Sequence, residues 1–410
     1  MMSLEGPFIA AVIARLVDPK FNLAAYGVAF SFALIIEAPV IMMMTASTSL
    51  VKDFHSLKKL RQFTWTLNLV ITAIMLLMLI PRFFFFLTID LIGLPQNIAQ
   101  LTHIATIILL PWPAAIGFRR FYQGVLIRNH ATRRVAFGTL IRLFSMSGMA
   151  LSLYFFTDLP GVYIGTAALS AGVTMEAIST RIMVHFILKR MATAEFIPDP
   201  NPLSIQAISK FYYPLALTSM LTLGVHPLIT FFIGKSAMAI ESLAVLPVIH
   251  SFVFLFRGVG LSFQEAAITL LGEDGELDRR VYRFAATLAL GLSGALFITA
   301  ITPLASIWFS QVTALSSQLA ALTQRPLFIM VIFPATTVLI SMQRALLVKH
   351  GDTKPITIAT LIEVIGIIVI LYVGIIHLDA IGVYAAVSAF VGGRLAANLY
   401  LHVKTRALST

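Results

Sequence analysis

The stretch GVLIRNHATRRVAFGTLIRL, residues 124–143, recurs as ALLVKHGDTKPITIATLIEV, residues 345–364, without a gap. Each copy leaves one apolar run, crosses a short basic loop and enters another. The shared register pairs Thr132 with Thr353, Thr139 with Thr360, and Leu140-Ile141 with Leu361-Ile362. Extended outward, it pairs Pro113 with Pro334, Gly161-Val162-Tyr163 with Gly382-Val383-Tyr384, and Gly172 with Gly393. Nearer the front of each half, a register one residue shorter pairs Leu23-Ala24 with Leu243-Ala244. Apolar helices share few letters, so isolated matches mean little. Prolines, glycines and a basic loop kept in step mark a repeated structural unit.

Composition says what kind of unit this is. Of 410 residues, 59% are apolar and 11% charged, and mean hydropathy is +0.92. A soluble domain carries about 25% charge, so a soluble enzyme is excluded. At about 20 residues per membrane span, the chain has room for roughly a dozen helices. Apolar runs of spanning length lie near 3–17, 24–50, 63–88, 98–126, 135–157 and 160–188, then near 203–233, 240–271, 281–309, 313–347, 355–376 and 379–403. The expectation is an all-α polytopic membrane protein of about twelve helices in two pseudo-symmetric bundles of six. Residues 1–190 form the first bundle, 191–204 a cytoplasmic linker and 205–410 the second bundle. The run 3–17 is short for a hydrocarbon core of about 30 Å and reads as a first helix lacking its initial turns.

Charge gives the topology. Lys52, Lys58, Lys59 and Arg61 follow the second run, and Arg128, Arg133 and Arg134 the fourth. Lys189 and Arg190 follow the sixth, Arg279, Arg280 and Arg283 the eighth, Lys349 and Lys354 the tenth, and Lys404 and Arg406 close the chain. Basic loops stay on the cytoplasmic side. Both termini are therefore expected inside, in a plasma (inner) membrane. Six spans separate corresponding segments, so the halves enter the bilayer in the same orientation, an arrangement that transporters use. The net charge of +11 sits in these short loops and is not interleaved with aromatics, so no nucleic-acid partner is expected. The expected partners are a small-molecule substrate and the bilayer. There is no cysteine, no Walker sequence and no metal-ligand motif. No catalytic residue, bound metal or cofactor is therefore expected, and the only auxiliary element is coupling to an H+ or Na+ gradient.

Several segments carry a family resemblance. LAAYGVAFS (residues 23–31) and RRFYQGVLIRNHATRRVAFGTLIRL (119–143), set in two six-helix halves, resemble the MATE-type fold of the multidrug/oligosaccharidyl-lipid/polysaccharide exporter superfamily. SLEGPFIAAVIARL (3–16) and KFYYPLALTSMLTLGVHPLITFFI (210–233) are similar to progressive ankylosis protein-like exporters of small organic and phosphate-containing anions. The resemblance implies a secondary transporter working by alternating access, with a lipid-linked oligosaccharide flippase as the alternative. One departure stands out. MATE proteins coupled to protons or sodium carry an aspartate in the first bundle, and no Asp lies within these first six runs.

Ionisable residues inside the runs are the candidate site. A charge near the bilayer centre costs about 2.5–3.5 kcal/mol on insertion scales and marks a wet path or a partner. The candidates are Glu5, Glu37, Arg142, Glu176, Arg257, Glu363 and Arg394, joined by His226, which titrates near neutral pH. The repeat aligns Glu37 with Arg257 and Arg142 with Glu363, so equivalent positions carry opposite charge. Two arrangements follow. Either Glu37 and Arg257 attract across a central cleft in one access state, or each charge is satisfied in its own bundle, Glu37 by Arg142 and Arg257 by Glu363. Glu5-Gly-Pro7 and Glu37-Ala-Pro39 also set an acid beside a proline kink, where a freed carbonyl and a carboxylate can hold a proton or cation. Arg142, Arg257 and Arg394 favour an anionic solute over the cationic drugs typical of MATE proteins.

Overall fold

A computed structural model describes residues 4–193, 203–271, 275–350, 352 and 354–406, so most of the linker expected at 191–204 lies outside the described residues. The described residues form helices and no strand. In order these are α1 (Glu5–Ala14), α2 (Pro19–Glu37), α3 (Met43–Leu50), α4 (Phe54–Met78), α5 (Pro81–Phe85), α6 (Gln96–Ile108), α7 (Trp112–Arg128), α8 (Thr132–Phe156), α9 (Gly161–Met183) and α10 (His185–Thr193). There follow α11 (Ile205–Gly234), α12 (Ala239–Leu270), α13 (Gly275–Ile301), α14 (Pro303–Ile307), α15 (Ser317–Ile329), α16 (Phe333–Lys349), α17 (Lys354–Tyr372) and α18 (Gly382–Arg406).

Ten segments are long and apolar enough to cross a bilayer. The count of twelve is therefore approximate. The two remaining segments are α1, only 10 residues long, and α18, which is long but less apolar and carries Arg394. Much of α18 is buried by protein, so its hydropathy was never set by lipid.

The repeat extends to the helix boundaries. Gln96 and Ile108 bound α6, and Ser317 and Ile329, each 221 positions later, bound α15. The same step carries Trp112–Arg128 onto Phe333–Lys349. Both halves widen into a π-helical turn at matching places, Phe86–Leu91 and Trp308–Val312. Left-handed backbone recurs at Asp18 (φ 51°) and Met238 (φ 53°), and at Gly93 (φ 87°) and Ala314 (φ 51°). A positive φ is costly for residues with a Cβ, so its recurrence shows inherited turn geometry.

Packing divides the chain into two units, and the division differs from the boundaries read from sequence. The first unit contains Val28–Pro227, and the second contains Ser3–Gly27 and Leu228–Thr410. Helices α2 and α11 each begin in one unit and end in the other, because each continues unbroken past the point where its packing partners change. In the first unit, Met43, Leu57, Leu60, Phe121, Val125 and Tyr212 anchor a buried core. In the second, Phe263, Ala267, Val338 and Met342 form one core and Ile340, Leu347 and Leu401 another. Helix α1 packs on α12, where a Cβ at Gly6 would sit 2.7 Å from the Ser251 Cβ.

Two glycine crossings bear on the site. A Cβ at Gly172 on α9 would lie 3.1 Å from the Arg142 carbonyl oxygen on α8, and one at Gly393 on α18 would lie 2.7 Å from the Glu363 carbonyl oxygen on α17. The paired glycines thus bring each helix pair together at the two charges of opposite sign. Replacing Gly393 with Val should destabilise by about 1–3 kcal/mol through overpacking. Gly148, whose Cβ would meet nothing within 4 Å, should accept Ala without loss. Thermal unfolding in detergent checks both, and equal effects at the two positions would refute the crossing argument.

Helix α4 starts at a capping box: the Asp53 carboxylate accepts from the Ser56 backbone N–H at 2.7 Å, and the Ser56 hydroxyl accepts from the Asp53 N–H at 3.0 Å. The Ser56 backbone bond, then the Ser56 hydroxyl, hold the Asp53 carboxyl below the usual carboxylate range. Its contribution is therefore fully present above the unfolded value of about 3.9 and is lost as pH falls through the lower folded value. Asp53→Ala should cost about 1 kcal/mol at neutral pH, with the gap between variant and parent closing in acid melts.

Candidate functional site

In the first unit, four helices deliver one connected polar cluster. Pro39 cannot continue α2, so the helix passes into a 3-10 turn, Ala38–Val40, directly after Glu37. Tyr212 donates to the Pro39 carbonyl at 2.5 Å and fixes that turn. Glu37 Oε2 accepts the Trp112 indole N–H at 2.5 Å. The guanidinium of Arg142 on α8 lies over the same Trp112 ring at 5.6 Å. Arg142 also reaches Glu176 Oε2 on α9 at 3.6 Å. Arg119 and Gln123 stand one turn apart on α7 and converge on that carboxylate, Arg119 Nη1 at 2.5 Å from Oε2 and Gln123 Nε2 at 3.1 Å from Oε1. Arg120, next to Arg119 on α7, meets the Met44 sulfur at 3.8 Å. Three guanidinium groups thus face two carboxylates.

In the second unit, the counterparts of the same helices build a cluster of different charge. Arg394 on α18 contacts Glu363 Oε1 on α17 through Nε at 2.8 Å and Nη2 at 2.7 Å, and its Nη1 reaches Thr337 Oγ1 at 3.4 Å. The guanidinium of Arg394 lies 5.1 Å from the centroid of Phe333, the residue that occupies the repeat position of Trp112. Arg257 on α12 lies over the same ring at 5.0 Å and over Phe254 at 5.8 Å. Arg344 on α16 donates to Thr360 Oγ1 at 3.4 Å, one turn before Glu363 on α17. Three guanidinium groups here share one carboxylate.

The structure therefore brings together six of the eight residues expected from sequence: Glu37, Arg142 and Glu176 in one cluster, and Arg257, Glu363 and Arg394 in the other. Glu5 is buried on α1. His226 is half-buried on α11. The within-bundle pairs expected from sequence, Glu37 with Arg142 and Arg257 with Glu363, do not form. The Trp112 edge takes Glu37 while its face takes Arg142, and Arg142 turns its charge to Glu176. Arg394 occupies Glu363 in the same way. The expected equivalence of the two Glu-x-Pro motifs is also corrected: Pro7 lies in the first turn of α1, where no helical N–H partner is needed. Only Pro39 breaks a helix.

Trp112, Arg119, Arg120, Gln123 and Arg344 are cluster members that sequence reasoning missed. A signal was present, because Arg119, Arg120 and Arg344 lie inside apolar runs and upstream of the loop charges Arg128 and Lys349. Among the described residues, no group of His, Asp and Glu is arranged to hold a metal ion.

No family model and no curated protein sequence matches the chain. Solved structures do. An inward-facing multidrug resistance MATE family transporter of the MOP superfamily superposes with a TM-score of 0.74 at 15% identity, covering 100% of this chain and 96% of that one. The inward closed conformation of the lipid II flippase MurJ gives 0.77 at 16% identity over 98% of this chain and 85% of the other. An outward-facing multidrug resistance MATE family transporter gives 0.61 at 14% identity over 100% and 93%. The chain is a multi-pass membrane protein with the MATE-type fold.

Proposed function

We propose that the chain is a secondary carrier that exports a small organic solute across the cytoplasmic membrane by alternating access, with both termini inside. One observation carries the reading. Two repeated six-helix halves each bury an ionised cluster drawn from the same four helix positions, α2, α7, α8 and α9 in the first and α12, α16, α17 and α18 in the second. A bundle serving only as a scaffold has no reason to retain such groups, since each is expensive in a membrane unless it is paired or wet. The solved neighbours support the reading, as they include transporters captured facing inward and outward. We assign gradient coupling to Glu37, whose carboxylate has a neutral indole as its hydrogen-bond donor while the neighbouring arginines turn to Glu176.

A panel of proteoliposomes tests the proposal. Citrate, nucleotides, pyrophosphate and cationic dyes are offered separately under imposed proton and sodium gradients. Gradient-dependent flux of at least one of them is the expected result, and protein-independent flux throughout would refute a soluble-solute carrier. The flippase reading draws on the likeness to MurJ and on the surplus of positive charge in the second unit. It predicts protein-dependent translocation of a labelled polyprenyl diphosphate in the same vesicles.

A further inference from the structure

Trp112 and Phe333 occupy the same position of the repeat, at the start of α7 and of α16, and both rings are buried. Each ring carries guanidinium on its face: Arg142 lies 5.6 Å from Trp112, and Arg257 and Arg394 lie 5.0 and 5.1 Å from Phe333. The edges differ. Trp112 has an N–H and donates it to Glu37 Oε2, whereas Phe333 has none, and the repeat sets Arg257 at the position of Glu37. A buried indole N–H needs an acceptor, so the ring with an edge donor sits in the half that supplies an acid. The exchange of Trp for Phe thus follows the exchange of Glu for Arg.

The indole is gripped from three sides. Phe30, two turns before Glu37 on α2, meets it edge-on at 6.3 Å, Glu37 holds its N–H, and Arg142 covers its face. Arg142 stands 3.6 Å from Glu176 Oε2, past ordinary hydrogen-bond length, while Arg119 has closed on the same oxygen at 2.5 Å. Around Glu37, α7 brings the charges of Arg119 and Arg120 and α8 that of Arg142, with Glu176 of α9 behind them. The buried face of α4 holds no titratable group, and Tyr212 of α11 donates its O–H to the Pro39 carbonyl. One rigid ring therefore links an acid on α2 to a guanidinium on α8 that has room to move toward α9.

When Glu37 is ionised, the indole N–H is held by a charge-assisted bond, roughly twice as strong as a neutral one. A proton taken from water onto the Glu37 carboxyl makes that bond neutral. It also leaves Glu176 as the remaining carboxylate of the cluster opposite Arg119, Arg120 and Arg142. Both changes act on Arg142 in one direction: the ring beneath it loosens, and the attraction of Glu37 that competes with Glu176 disappears. We infer that Trp112 is a positioning residue that passes the charge state of Glu37 to Arg142, moving the guanidinium between the indole face and Glu176. The inference deepens the carrier reading and rests on it only for the role of Glu37 in gradient coupling. Phe333 has no edge donor, so the second unit does not repeat the device.

The chain holds three tryptophans, Trp65, Trp112 and Trp308. Trp65 is exposed and the Trp308 indole nitrogen has no hydrogen-bond partner, so W65F and W308F together leave Trp112 as the sole reporter without removing a hydrogen bond. Its emission is recorded on the full chain in detergent, in a titration from mildly alkaline to mildly acidic pH. The expected result is a single blue shift on acidification, because the excited indole moves electron density away from its pyrrole edge and the adjacent carboxylate no longer stabilises that change. The shift should vanish in E37Q. If the reporter background fails to fold, the difference between the parent and W112F spectra isolates the same signal. A second arm reads the link to Arg142 through melting temperatures. The effects of E37Q and R142Q should be non-additive in the parent, and the non-additivity should shrink at least ~2-fold in W112F, which keeps a ring face and has no N–H. Direct attraction between Glu37 and Arg142 is present in both backgrounds, so it does not produce that difference. A merely structural tryptophan would lower every melting temperature alike. An emission maximum that does not move with pH, a shift that survives in E37Q, or an unchanged non-additivity in W112F overturns the inference. If the expected results appear while E37Q vesicles still concentrate a panel solute under an imposed proton gradient, the link stands and coupling at Glu37 falls. If E37Q abolishes accumulation while Trp112 emission stays flat, coupling stands and the link falls.

Discussion

Glu176→Gln should destabilise the protein by about 3–5 kcal/mol, the range observed when one partner of a buried ion pair is removed. The Glu176 side chain is 1% exposed, and those of Arg119 and Arg142, which it neutralises, are 3% and 6% exposed. The variant would keep the shape of the residue and lose its charge. Its new amide NH2 would face the donors of Arg119 or Gln123, where only acceptors fit, and two guanidinium groups would be left buried without a carboxylate. Since 1 kcal/mol moves the melting temperature of a unit of this size by about 2–4 °C, a fall on the order of 10 °C is expected. Scanning fluorimetry of the detergent-solubilised protein measures it. A shift smaller than about 2 °C would mean that Glu176 is not the hub of the first cluster. Gln123→Leu on the same carboxylate should cost far less, because it removes one neutral donor and orphans no charge.

The contrast between hub and periphery shows what a one-dimensional reading can reach. The duplication, the helix pairs and the sign inversion at Glu37/Arg257 and Arg142/Glu363 were all legible, because register and charge are properties of the string. Partner choice was not. It depends on rotation of α9 against α8 and of α18 against α17, and those rotations are set where Gly172 and Gly393 let backbones approach a neighbouring carbonyl. Nothing in register or charge hints that Trp112 joins Glu37 and Arg142, edge to one and face to the other. Arg119 and Arg120 were hidden for another reason. Three more basic residues, Arg128, Arg133 and Arg134, follow within fifteen positions, so the run reads as one cytoplasmic border. Helix α18 shows a similar limit, since its modest hydropathy reflects burial by protein and not exposure to water.

Glu37→Gln should leave the fold intact and remove gradient-driven transport. Trp112 donates its indole N–H to Glu37 Oε2, and a glutamine carbonyl in the same place can accept that bond. No arginine loses a salt-bridge partner, since Arg119 and Arg142 turn to Glu176. The melting temperature should therefore stay within about 2–4 °C of the parent, equivalent to about 1 kcal/mol or less. What disappears is a group that can take up and release a proton at the one break in α2, where the Pro39 carbonyl is held by Tyr212. Conformational states that differ by a few kcal/mol can be exchanged by a single protonation event, and an amide cannot supply one. Accumulation against an imposed proton gradient should fall by at least ~10-fold, about 1.4 kcal/mol of lost drive. Gradient-free exchange of substrate between the two sides should persist, because exchange requires the carrier to reorient without net proton movement. If the glutamine variant still concentrates substrate as the parent does, coupling lies elsewhere, and Glu37 becomes a packing residue for Trp112.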